Sequence, residues 1–244
     1  MQVVGFAGVA RVGKSWSTNA LKEEAERRGW KVFIVPFAKP LKDEAERLGF
    51  GKDKDPKAYR EYCQNTGAAK RAEDANHWLD KWYMLIREIQ KKEHKDDSGT
   101  PYLVLSDDVR YENELGAIRK SGGVSVYLEP GDRVLDAASA TWRKHESEAM
   151  ANSVLGNRDV FQHMFDFFVL NKGEGHNLKP WAARFFKDVV SCPGDLKDRC
   201  DCEGCQAALE NRPVDTNKLN AELDDLLNEI DKKVNGDEDD DEDA

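Results

Sequence analysis

The chain has 244 residues, 34% of them charged and 39% hydrophobic, with a formal net charge of −10; that length suits one α/β domain with a sizeable core plus an appendage. Seven of its acids fall in residues 237–243, so the rest carries only −3, and a nearly neutral body argues against bulk electrostatic binding to nucleic acid. No run of eighteen apolar residues occurs, which excludes a membrane-spanning helix, and no charged and apolar leader precedes Val3, so no signal peptide is expected.

In chain order, the first element is an apolar strand from Val3 to Ala7. The next eight residues, Gly8-Val9-Ala10-Arg11-Val12-Gly13-Lys14-Ser15, fit G-x-x-x-x-G-K-[ST] at every fixed position, and a helix-prone segment follows from Ser15 to Arg28. Strand, glycine loop and helix together are the context in which this motif binds nucleotide phosphates. Glycines let the backbone turn its N–H groups inward, and the helix N-terminus adds partial positive charge. Gly8, Gly13, Lys14 and Ser15 are therefore expected to hold ATP, with Lys14 on the β- and γ-phosphates and the Ser15 hydroxyl on Mg²⁺.

Lys31–Pro36 reads as a second buried strand, and Phe37-Ala38-Lys39-Pro40-Leu41-Lys42 turns into a helix ending near Gly49. After a charged loop, Gly51–Pro56, a helix is expected over Lys57–Thr66. Asp74 then reads as the N-cap of a long helix reaching about Lys92. In it Trp78, Trp82, Leu85, Ile86 and Ile89 fall on one face, as core residues do. Tyr102–Leu105 is a third strand, Glu112–Lys120 a helix, Val124–Leu128 a fourth strand, Phe165–Leu170 a fifth and Leu178–Val190 a helix. Residues 129–156 between them are polar and charged, which suits a mobile cover. Strands alternating with helices predict a three-layer α/β/α fold around a mostly parallel five-stranded sheet.

From Cys192 the composition changes. Cys192, Cys200, Cys202 and Cys205 lie among Asp, Gly and Lys, with Cys63 far from them, a pattern that fits a reducing compartment better than a disulfide scaffold. Four thiolates are enough for a tetrahedral structural Zn²⁺ site; a redox-labile loop and an incidental cluster stay open beside it. Leu219, Leu223, Leu226, Leu227 and Ile230 recur at helical spacing, a stripe expected to pack on the main domain or on a second copy in a homodimer. The division expected is a domain over 1–191 with its cover at about 129–156, a small cysteine-containing and helical appendage over 192–234, and a disordered acidic tail over 235–244.

In a parallel sheet, ligands sit at the carboxyl ends of the strands. The third strand delivers Asp107 and Asp108 there, either of which could serve Mg²⁺, followed by Arg110, whose guanidinium suits a bidentate phosphate grip. Gln64, Arg71, Arg143, His145, Ser147 and Glu148 are further polar residues whose weight comes from the company they keep.

Five blocks stand in order: G-x-x-x-x-G-K-S at Gly8–Ser15, F-A-K-P-L-K at Phe37–Lys42, Q-N-T-G-A-A-K-R at Gln64–Arg71 with Trp78 after it, D-V-R-Y-E-N-E at Asp108–Glu114, and H-E-S-E at His145–Glu148. With them the chain resembles the deoxynucleoside monophosphate kinases of tailed bacteriophages, members of the P-loop nucleotide-kinase group, over about Val3–Val190. The resemblance implies transfer of the ATP γ-phosphoryl group to a deoxynucleoside monophosphate in the cytoplasm (of the host, for a phage protein), with Mg²⁺; charge and hydropathy leave neither nucleic acid nor membrane expected as a partner. It implies catalytic roles for Lys14, Arg11, Asp108 and Arg110. The acceptor-binding set it implies is Arg11, Gln64, Arg71, Arg110, Asn113, Glu114, His145, Ser147 and Glu148. The doubled acid at Asp107-Asp108, Tyr111 in place of a common phenylalanine and Glu112 in place of a frequent proline depart mildly from the family pattern. Two other readings remain: a P-loop kinase of another small acceptor such as dephospho-coenzyme A, and a non-catalytic ATP-binding module. Convergence of Arg11, Arg71, Arg110 and His145 beside the phosphate loop would favour a kinase.

Overall fold

The strand that leads into the phosphate loop is the middle of the sheet. The computed structural model describes residues 1–131, 146–171 and 178–191, and among these five strands form one sheet. β1 (Gln2–Ala7) lies between β3 (Tyr102–Ser106) and β4 (Val124–Pro130), with β2 (Lys31–Ile34) beyond β3 and β5 (Phe167–Asn171) beyond β4. Every pair is parallel, with Val3 opposite Val104 and Val4 opposite Val124. Parallel strands need crossovers, here α1 (Lys14–Arg27), α2 (Lys39–Arg47), α3 (Pro56–Glu73), α4 (His77–His94) and α5 (Glu112–Lys120), then α6 (Ala149–Gly156) and α7 (Arg158–Phe161), while α8 (Leu178–Phe185) follows β5. A π-helical turn, Phe186–Val190, continues α8.

Successive residues of β1 show the three layers. Gly5 faces α5, where an added Cβ would stand 2.7 Å from Ile118, while the Phe6 ring meets Trp181 of α8 on the other face at 6.2 Å. Both faces of the central strands are thus covered, which is why they read as continuous apolar runs rather than as alternation. The chain runs from β1 outward to β2, returns to β3, and crosses β1 to reach β4. That reversal opens a crevice at the carboxyl ends of β1 and β3.

Several boundaries differ from expectation. α3 continues to Glu73, and Asp74 does not cap α4. Its own backbone is extended and its Oδ1 accepts the Asn76 N–H (2.9 Å), so Asp74 shapes the turn between the two helices and α4 begins at His77 with Asn76 in the cap position. Asp55 does cap α3, accepting from the N–H groups of Lys57 (3.1 Å) and Ala58 (3.0 Å), with Pro56 in the first turn where its missing N–H costs nothing. On α4, Trp78, Trp82, Ile86 and Ile89 are buried together with Leu79 and Tyr83, whereas Leu85 is half-buried. The Trp82 indole N–H donates to the Val35 carbonyl (3.0 Å) and the Ser106 hydroxyl (3.2 Å), and its ring stacks on Phe37 at 4.5 Å. This ties the segment after β2 to the tip of β3.

β5 starts at Phe167 because Asp166 is an anchor: its Oδ2 accepts both the backbone N–H and the hydroxyl of Ser125 (2.8 Å each). Of the expected cover, Glu129 and Pro130 complete β4, residues 132–145 lie outside the described residues, and α6 holds buried Ala151 and Val154, with the Tyr127 hydroxyl donating to the Ala151 carbonyl (2.7 Å). The cysteine cluster, the leucine stripe and the acidic tail also lie outside the described residues. Among the described residues no helix is long and apolar enough to cross a membrane.

Candidate active site

Gly8 to Ser15 folds into a tight loop between β1 and α1. Two of its glycines are required by space and by backbone: at Gly8 (φ 133°) a Cβ would meet the Leu128 carbonyl oxygen at 2.7 Å, and at Gly13 (φ 98°) it would meet Asn171 Nδ2 at 2.7 Å. Between them Arg11 is the one described non-glycine residue with positive φ, 64°, a conformation that costs roughly 1–3 kcal/mol and is kept where function requires it.

Lys14 is buried, and its Nζ donates across the loop to the carbonyls of Gly8 (2.6 Å) and Val9 (3.0 Å). Burial first, then repulsion from Arg110, lowers its pKa to about 8 against the attraction of Glu148, Asp108 and Asp107. The next residue turns outward, and Ser15 Oγ donates to Asp107 Oδ2 at 2.7 Å. A hydroxyl and a partly exposed carboxylate in contact are oxygen donors of the kind that could hold Mg²⁺ together with water and phosphate oxygens. No group of three or more His, Cys, Asp or Glu side chains placed to hold a metal exists among the described residues.

Asp108 faces the other way. Its Oδ1 accepts the Phe37 N–H (2.7 Å) and its Oδ2 the Ala38 N–H (3.1 Å), with Lys42 Nζ 3.9 Å away. The carboxylate is buried, and burial pushes its pKa up against the pull of Lys42 and those two N–H groups. It thus holds the entry to α2 from the tip of β3. The two acids left undivided by the sequence have separate partners.

Arg110 approaches the phosphate loop from the β3–α5 turn. Its Nη1 donates to Ser147 Oγ (3.0 Å) and forms an ion pair with Glu148, whose other oxygen accepts the Ala10 N–H of the loop (2.7 Å). Glu114, expected at the acceptor, is turned inward: its Oε2 accepts the backbone N–H groups of Arg110 (2.7 Å) and Tyr111 (3.2 Å). Burial, reinforced by Asp108, raises its pKa to about 8. Asn113 instead bridges to the α3–α4 turn, donating to the Ala75 carbonyl (3.0 Å) and Asn76 Oδ1 (3.2 Å). Arg71 lies over the Tyr111 ring at 4.3 Å and donates to the Gly67 carbonyl (3.1 Å), while Gln64 is exposed on α3. Arg143, His145 and the four late cysteines lie outside the described residues.

Two residues not singled out from sequence join this group. Arg60 on α3 has its pKa pushed down by burial and then by Arg11 and Arg110, which brings three guanidinium groups into one electrostatic neighbourhood. Its signal was present as helical spacing, since residues 60, 64, 67 and 71 share one face of α3. Asn171, the polar end of an apolar strand, donates through Nδ2 to the Val12 carbonyl (2.8 Å) and so braces the phosphate loop from β5.

No protein-family model and no curated protein matches the chain in sequence. Among solved structures it is similar to a dephospho-CoA kinase from Campylobacter jejuni, at 17% identity and a TM-score of 0.42, over 77% of this chain and 96% of that one. A shikimate kinase from Bacteroides thetaiotaomicron is similar at 12% identity and a TM-score of 0.35, over 78% of this chain and 98% of that one.

Proposed function

We propose that the chain transfers the γ-phosphoryl group of ATP to the phosphate of a deoxynucleoside monophosphate, releasing ADP and the deoxynucleoside diphosphate. The observation that carries this reading is Arg110, paired with a Glu148 whose other oxygen accepts the Ala10 N–H of the phosphate loop, with Arg11 in that loop and Arg60 in the same electrostatic neighbourhood. One phosphorylated ligand is served by the loop, Lys14 and the N-terminus of α1. Three further cations at its edge suit a second anionic group.

In the reaction an acceptor phosphate oxygen attacks the γ-phosphorus as the bond to the β-phosphate oxygen breaks. The transition state spreads negative charge over phosphoryl oxygens, so positioning and cations do the work and no covalent nucleophile is needed. Lys14 would hold the donor phosphates, with the loop N–H groups directing them. Arg11, Arg60 and Arg110 would orient the acceptor phosphate and offset its approach to another anion, while Gln64 and Arg71 lie along the same helix for the rest of the acceptor. Ser15 and Asp107 would hold Mg²⁺, which supplies charge neutralisation of the donor phosphates when bound.

A phosphate monoester acceptor is ionised near neutral pH and needs no general base, so no carboxylate has to serve as one. The test is ADP release from ATP and Mg²⁺ against each deoxynucleoside and ribonucleoside monophosphate and against dephospho-coenzyme A, with Lys14→Ala as control. Release that requires a deoxynucleoside monophosphate and vanishes in the variant is expected. Turnover of dephospho-coenzyme A alone, or ATP binding without turnover, would refute the proposal.

A further inference from the structure

Arg110 is held at two points by two buried acidic side chains, one four residues and the other 38 residues further along the chain. Glu114 accepts from its backbone N–H (2.7 Å), and Glu148 pairs with its Nη1, which also donates to Ser147 Oγ at 3.0 Å. The second Glu148 oxygen accepts the Ala10 N–H at 2.7 Å, so one carboxylate joins the guanidinium to the backbone of the phosphate loop. The pair is one-sided: the Glu148 side chain is 4% exposed and that of Arg110 35%. Nε and Nη2 of Arg110 make no hydrogen bond to any described residue, so one edge of the guanidinium keeps its donors for a ligand.

We propose that Glu148 is a positioning residue: it fixes Arg110 against the phosphate loop so that the free guanidinium edge meets the phosphate of the acceptor. This rests on the acceptor reading given above. A long arginine side chain otherwise loses rotamer freedom when it grips a phosphate, and a strut that orders it beforehand removes that cost from binding. Burying a carboxylate is tolerable only when its oxygens are satisfied, and here both are. Nor is Glu148 placed like a loose occupant awaiting displacement. The next residue, Ala149, begins α6, whose Ala151 and Val154 are buried, so moving the carboxylate would disturb packed side chains.

The test uses the full chain with the phosphate loop filled by ADP and Mg²⁺, and inorganic phosphate as the probe, titrated by calorimetry into wild type, Glu148→Gln, Arg110→Ala and the double variant. Glu148→Gln keeps the size and one acceptor for Ala10 while removing the ion pair. It is expected to weaken phosphate binding about tenfold, the loss of one charge-assisted interaction, with ADP affinity within about twofold of wild type. Arg110→Ala should lose as much, and the double variant no more than either. A purely structural role for Glu148 would lower ADP affinity and thermal stability together and leave the two losses additive. Unchanged or tighter phosphate binding in Glu148→Gln, additive losses, or no phosphate binding by wild type would each overturn the proposal. Should Glu148→Gln fail to fold, Ser147→Ala removes the hydroxyl that accepts from Nη1 and is expected to weaken phosphate two- to threefold; no change there would also overturn it. The kinase reading is decided separately, by monophosphate turnover, so either conclusion can fail while the other stands.

Discussion

Replacing Asp108 by asparagine separates two jobs that adjacent acids compete for. In the folded chain Asp108 accepts the Phe37 N–H at 2.7 Å and the Ala38 N–H at 3.1 Å. An asparagine offers one acceptor oxygen and turns an NH₂ group toward the other N–H, leaving one backbone donor without its partner beside the buried Phe37. A hydrogen bond to a charged group is worth about 1.5–3 kcal/mol, and an orphaned buried donor costs about 1–3 kcal/mol. Removing a carboxylate whose ionisation burial opposes offsets part of this, so a net loss of about 2 kcal/mol is expected. Against a stability of roughly 5–15 kcal/mol for a domain of ordinary size, the variant remains folded. With a urea dependence of about 2 kcal/mol per molar, the unfolding midpoint should fall by about 1 M. Nucleotide affinity titrated against Mg²⁺ is the second readout. Asp108→Asn should keep the wild-type Mg²⁺ requirement, whereas Asp107→Asn, which disturbs the 2.7 Å contact with Ser15, should raise it severalfold. An Asp108→Asn protein with the wild-type midpoint and a raised Mg²⁺ requirement would refute the assignment of the two acids.

Arg11 holds φ at 64°, so Arg11→Gly should be more stable than Arg11→Ala by about 1 kcal/mol in thermal melts, although both lose the guanidinium and fall alike in turnover; equal melts would show that the loop stores no strain. Glu114 has its pKa raised to about 8 by burial, above the unfolded value. Its contribution is therefore fully present below about pH 4.5 and is lost as pH rises toward 8, at up to about 1.4 kcal/mol per pH unit. Urea unfolding across that window should show the decline in wild type and a flatter profile in Glu114→Gln; identical profiles would remove Glu114 as the cause. Lys14, lowered to about 8, loses half its charge near that pH in the free protein, so ATP affinity should fall as pH passes 8, and constant affinity from pH 7 to 9 would contradict its burial as described.

The fold was legible because its signals are local. Apolar runs marked the five strands, and glycine spacing with Lys14 and Ser15 marked the loop after β1. Boundaries were less so: Asp74 has the residue type of a helix cap, yet its side chain closes the turn to Asn76 instead. The site divides in the same way. Lys14, Ser15 and the Asp107–Arg110 turn could be placed at strand ends from the alternation of strands and helices. Glu114 could not be placed, because an acid three residues into a helix reads equally as a cap for the preceding backbone and as a ligand group.

Sequence by itself determined what depends on near neighbours along the chain: the parallel α/β class, the phosphate loop and its lysine, and the acids and arginine at the tip of the third strand. Tertiary structure alone decided which groups each acid contacts and which residues meet. Adjacent side chains at the end of a strand point in different directions, so Asp107 reaches Ser15 while Asp108 reaches the backbone at Phe37 and Ala38. Glu148 and Ala10 are separated by 138 positions, and Arg60 comes near Arg11 and Arg110 only once α3 has docked. Contacts of that range are set by how helices pack on the sheet, and no local pattern encodes them.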